Sequence, residues 1–154
     1  MIELRTVQEL MLALGPERVL RGARIAGLRA RQIDLTNVVL ADVVLEDVHL
    51  RRCDLSGMRW QNVRFTSGSI TACRWDGGAL DDCVIGGLPG GGEGGIDLSG
   101  TSFAGASLED IDLRRALLAG VRLERANLSR ASLAGVELAG VMAPGVILRD
   151  ARLA

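Results

Sequence analysis

The sequence predicts an all-β solenoid, a coil of quadrilateral cross-section built from short extended walls and covered at its N-terminal side by a short α-helix. Three observations predict it. Large apolar residues recur every five positions, and a second, usually smaller residue sits two positions before each. Hydrophobic residues make up 48% of the 154-residue chain, yet aromatic residues only 3%. Burial therefore falls to Leu, Val, Ile and Ala, which suits a narrow interior of repeated medium-sized side chains better than a globular core anchored on aromatics.

The period is unbroken from Leu35 through Leu40, Leu45, Leu50, Leu55, Trp60, Phe65, Ile70, Trp75 and Leu80 to Ile85. It resumes at Leu98 and runs through Leu138, lapses at Ala143, and returns at Leu148 and Leu153; a weaker beginning is visible at Ala23/Ile25 and Leu28/Ala30. A helix would smear residues five apart around its axis, and a flat strand would alternate them between faces. A short extended piece followed by a turn keeps both apolar positions on one side. Four such pieces close a square, and successive squares stack at about 4.8 Å.

Segments such as Ala126-Asn127-Leu128-Ser129-Arg130, Ala131-Ser132-Leu133-Ala134-Gly135 and Ile96-Asp97-Leu98-Ser99-Gly100 resemble the A-(D/N)-L-x-x signature of the pentapeptide-repeat family. The match covers roughly residues 23–154. The resemblance implies a right-handed quadrilateral β-helix, four repeats to a coil and about six coils. The first half departs from the signature by using Val and Cys where the family favours Ala, and Trp at 60 and 75 where it favours Leu or Phe.

Four segments are expected: a capping helix and lead-in over 1–22, a first repeat block over 23–85, a Gly-rich loop over 86–95 and a second block over 96–154, all in one domain. Thr6-Val7-Gln8-Glu9 has the spacing of a capping box. Val7, Leu10, Met11 and Leu14 follow at helical spacing, and Gly15-Pro16 ends the helix. Its expected task is to cover the first coil. At the other end the repeat continues to Leu153 with no equivalent helix. The apolar bore at Leu138, Leu148 and Leu153 is expected to pair with a second copy, giving a homodimer, or with another protein.

Ile85 and Leu98 are thirteen apart, out of phase with five. Either eight residues are inserted, or three are inserted and Gly90 lies on a wall; the first is favoured because Gly90 facing inward would leave a hole. Gly86, Leu88, Pro89 and Glu93 are the candidate contact residues of this loop. The string Gly90-x-Gly92-x-x-Gly95 resembles a dinucleotide fingerprint but lacks the strand, helix and acidic residue that motif requires. A P-loop is excluded because the chain has no Lys.

No catalytic residues, metal ligands or cofactors are expected. His49 is the only histidine and faces outward, so a nucleophile would have no base. Cys53, Cys73 and Cys83 occupy the small inward position and read as buried, reduced thiols. The N-terminus has no basic start followed by an apolar run, and no segment approaches the length of a membrane span; a cytoplasmic protein is expected. Net charge is −1, which gives no general attraction to nucleic acid or membrane.

What remains is a non-catalytic protein-binding or scaffold module whose partner the sequence does not identify. Asp42, Asp81, Asp82, Glu109, Asp110 and Asp150 are expected on the outer turns of one wall, opposed only by Arg130 and Arg149, a seam suited to a basic partner. The resemblance implies two alternatives. One is a DNA mimic that binds a type II topoisomerase such as gyrase and confers resistance or self-protection; the other is an adaptor or chaperone in toxin secretion.

Overall fold

The computed structural model describes residues 1–85 and 96–153. The chain opens with β1 (Ile2–Leu4) and α1 (Val7–Leu14), then β2 (Val19–Arg21), β3 (Ala23–Ala26) and β4 (Arg29–Arg31). The next level carries β5 (Val39–Ala41), β6 (Val44–Glu46) and β7 (Val48–Arg51). Up to Ile85 the series ends with β8 (Arg59–Gln61), β9 (Arg64–Phe65), β10 (Gly68–Thr71), β11 (Ala79–Asp81) and β12 (Val84–Ile85).

All pairing is parallel. Three walls are the sheets β2-β5-β8-β11, β1-β3-β6-β9-β12 and β4-β7-β10. The fourth wall is joined by bridges, Asp34 to Asp54 and Asp54 to Arg74. Partners such as Val39 and Arg59, or Val44 and Arg64, are twenty residues apart, so four five-residue faces make one right-handed turn.

The five-residue unit explains itself locally. Its first and third residues point into the bore, as with the buried pairs Val38/Leu40, Val63/Phe65 and Ala126/Leu128. In several units an Asp or Asn between them accepts a bond from the backbone two residues on: Ser99 N to Asp97 Oδ1 at 2.9 Å, Arg114 N to Asp112 at 3.1 Å, Ser129 N to Asn127 at 3.0 Å. This side-chain turn bends the chain toward its corner. The fifth residue then takes a left-handed conformation, as at Asn37 (φ 58), Asp82 (φ 53) and Gly100 (φ 70), and reverses direction. Asn, Asp and Gly recur there because they tolerate that conformation.

The bore is full. Trp60 and Trp75 meet edge to face with centroids 4.6 Å apart, flanked by Phe65 and Phe103 at 6.0 and 5.4 Å. The capping box forms as expected: Glu9 N donates to Thr6 Oγ1 at 3.1 Å and Glu9 reaches back to Thr6 N. Leu10 and Leu14 are buried, and Val7 and Met11 pack beside them.

Two features differ from the sequence reading. Ile2–Leu4 adds a strand to Ala23–Ile25, and the first wall already forms at Val19, ahead of the expected start at 23. Regular strands make about four turns rather than six; after residue 96 the coils continue as isolated bridges, such as Ser107 to Asn127 and Ser132 to Arg152. Across the interruption Ser69 pairs with Asp97 and Ala79 with Ser107. The offset there is twenty-eight, the register of an eight-residue insertion.

Candidate protein-interaction site

With the bore packed, the inside offers little room. The void beneath α1, lined by Leu10, Leu14 and Trp60 among others, is about 20 Å³. Among the described residues no group of three or more His, Cys, Asp or Glu is placed to hold a metal ion. Among the described residues no helix is long and apolar enough to cross a membrane. His49 lies on an outer face, clamped by Asp47 Oδ1 at 3.0 Å and Ser69 Oγ at 2.9 Å.

The three thiols face inward and are free. Cys53 and Cys73 stack in adjacent coils, with Cys53 N donating to Cys73 Sγ at 3.4 Å. Their contact splits their titration, lowering Cys53 and raising Cys73, which burial raises further. Burial pushes the Cys83 thiol up to about 12.

The structure brings the acidic residues to one edge. Asp42, Asp82, Asp110 and Asp150 all take the left-handed corner position after the same wall, on successive levels with Asn62 and Arg130. Asp81 and Glu109 precede them. The corners are stitched by backbone bonds, Asp42 N to Gln61 O at 3.0 Å, Asn62 N to Asp81 O at 2.9 Å and Asp110 N to Ser129 O at 3.0 Å. A charged residue on this edge is thus held on a regular ladder.

Charge is not uniform along it. Arg130 grips Asp110 with two bonds of 2.9 and 3.1 Å and lies 3.5 Å from Glu109. The hydrogen bond from Arg130 holds the Asp110 carboxyl below the usual carboxylate range. Asp42 accepts from Asn62 Nδ2 at 2.8 Å. Asp81, Asp82 and Asp150 make no ion pair among the described residues, and neither does Arg149.

The candidate residues Gly86, Leu88, Pro89 and Glu93 lie outside the described residues. Leu138, Leu148 and Leu153 stand on the last described coil, 43%, 40% and 53% exposed.

One surface escaped the sequence reading. Arg31 pairs in register with Arg51, and Arg52 follows on the next corner position. These guanidinium groups make no ion pair among the described residues, and their corner lies two walls from the acidic one, at the opposite edge of the square. Writing the sequence in rows of twenty would have placed Arg31 over Arg51.

Fold and surface define a class, a right-handed parallel β-solenoid of five-residue faces whose charged side chains lie on the outside. A model of pentapeptide repeats, with eight copies, matches residues 19–57, 96–135 and 111–150, and the chain belongs to the pentapeptide-repeat family. A comparison with curated protein sequences finds no match. Among solved structures, QnrB1, a plasmid-mediated fluoroquinolone resistance protein, is 13% identical over 99% of this chain and 82% of its own, with a TM-score of 0.46. The pentapeptide-repeat protein Rfr23 of the cyanobacterium Cyanothece 51142 is 20% identical over 96% and 99%, with a TM-score of 0.40. HetL of Nostoc sp. strain PCC 7120, involved in heterocyst differentiation regulation, is 23% identical over 88% and 78%, with a TM-score of 0.30. These likenesses concern the fold.

Proposed function

We propose that the chain is a non-catalytic protein-binding module that docks a basic protein surface along the acidic edge. The observation that carries this reading is the carboxylate pair Asp81 and Asp82 on the corner ladder, with Asp42 on the same edge. Neither member of the pair has an ion partner among the described residues. Like charges held on stacked turns repel, and a cationic partner relieves that repulsion. The topoisomerase-mimic alternative wants an unbroken acidic face, and Arg130 interrupts this one between Asp110 and Asp150.

A photo-crosslinking amino acid at position 61, in the same corner, tests the reading in the native host, with position 54 on the neighbouring wall as control. A defined adduct from 61, lost in Asp81→Asn/Asp82→Asn and weakened by salt, supports it. No adduct, or one indifferent to both carboxylates, overturns it.

A further inference from the structure

One wall of the solenoid stands open between its last two described coils. On the other three walls at this height the ladder is closed: Leu113 N donates to Ser132 O at 2.9 Å, Leu123 N to Met142 O at 2.7 Å and Leu128 N to Ile147 O at 2.7 Å. On the fourth, the corresponding amide of Leu118 has no backbone partner among the described residues. The corner amides of Arg115 and Gly120 have none either, although Arg125 N and Arg130 N reach Pro144 O and Arg149 O at 3.0 and 2.8 Å. The same strand is bonded on its upper side, through Leu98 N to Leu117 O and Leu117 N to Ile96 O, each 2.9 Å. Residues 136–138 accordingly form no bridge. A cavity of about 230 Å³ lies between the two levels, with Arg115, Ala116, Leu117, Leu118, Gly135 and Glu137 in its lining.

Asp97 on the level above, and Asp112 and Asn127 on other walls, tie their own turns from the middle of the unit. Here the middle residues are Leu117 and Glu137, and the flanking corners are Ala119-Gly120, Ala134-Gly135 and Ala139-Gly140. No side chain on them stitches one level to the next, and Leu117 is 54% exposed.

We propose that this opening is a strand-acceptor site, which takes an extended peptide segment of a partner in parallel register. The upper lip offers the N–H groups of Arg115, Leu118 and Gly120 and the C=O of Ala116, one half of a parallel ladder. Unpaired strand edges of this kind recruit another chain through the backbone. The bore defines side-chain preference: the incoming segment displaces residues 136–138, of which Val136 packs against the core, and places a small or branched apolar residue beneath Ala116 and a large one beneath Leu118. The residue between them faces outward. Arg115, with no ion pair among the described residues, precedes the strand and favours a carboxylate at the N-terminal side of the segment. The ligand class is therefore an extended acidic–apolar–x–Leu peptide. This site is on a different face from the acidic edge and does not depend on it.

Amide hydrogen exchange of the intact protein, followed residue by residue by NMR, tests this. In the free protein the amides of Leu118 and Gly120 should exchange about 100-fold faster than those of Leu113, Leu123 and Leu128. A synthetic peptide copying Ala41–Glu46, which has the acidic–apolar–x–Leu pattern, should slow Leu118 and Gly120 selectively, and a scrambled peptide should not. Equal protection of Leu113 and Leu118 in the free protein would show a closed ladder and overturn the proposal. So would amides that stay fast with the peptide present, or that the scrambled peptide protects equally.

Discussion

The indole of Trp75 fills the space that a side chain at Gly78 would occupy. A Cβ on Gly78 would lie 2.5 Å from Trp75 Cδ1 and Nε1 and 2.6 Å from Met58 O, the carbonyl to which Trp75 Nε1 donates at 2.9 Å. Trp in place of Leu and Gly in place of Ala are therefore one adaptation spread over two repeats.

Gly78→Ala should consequently destabilise the protein by about 1–3 kcal/mol through overpacking. In the Trp75→Leu background the same change should cost clearly less, because the ring has gone. Chemical denaturation of both single variants and the double variant measures the coupling. Additive effects would mean that the ring and the glycine do not share the space.

The thiols should be silent in the folded protein. Cys53, Cys73 and Cys83 are buried at 2%, 4% and 2% exposure, so a colourimetric disulfide reagent should report no reactive thiol until denaturant is added and three afterwards. A disulfide between Cys53 and Cys73 in mass spectra of protein kept under reducing buffer would contradict the inward ladder.

Acid should act through a small set of turn carboxylates. Thr36 lowers the Asp34 pKa, His49 that of Asp47, Arg130 that of Asp110 and Arg114 that of Asp112, each chiefly through hydrogen bonding. Their folded values lie below the unfolded value of about 3.9, so the unfolded chain binds protons first as pH falls. Their contribution is present above the unfolded value and disappears as pH drops through the folded values. Melting temperature should stay nearly flat from about pH 8 to pH 5 and fall below about pH 4. Arg130→Gln should reduce the Asp110 share of that fall, and salt should shrink it further.

Leu148→Arg with Leu153→Arg tests whether the last described coil is an interface. Light scattering of the unaltered chain should show a dimer, and the double variant a monomer with its N-terminal coils intact by circular dichroism. A monomer at high concentration before any substitution would remove the dimer reading.

The coil was legible in the sequence because a five-residue face is a local device. A unit such as Ala126-Asn127-Leu128-Ser129-Arg130 carries its own inward pair, its own side-chain turn and its own left-handed corner, so repetition alone writes the solenoid. The cap was equally local: Thr6 and Glu9 are three residues apart and satisfy each other's backbone. Interactions between levels were a different matter. Twenty or twenty-eight residues separate the groups that touch, and only stacking decides that Arg130 quenches Asp110 while Asp81 and Asp82 stand without an ion partner among the described residues. The same holds for Arg31 against Arg51, and for the lips at Leu118 and Glu137. A ladder bond needs both strands at once, and no single five-residue unit records whether its neighbour has closed upon it.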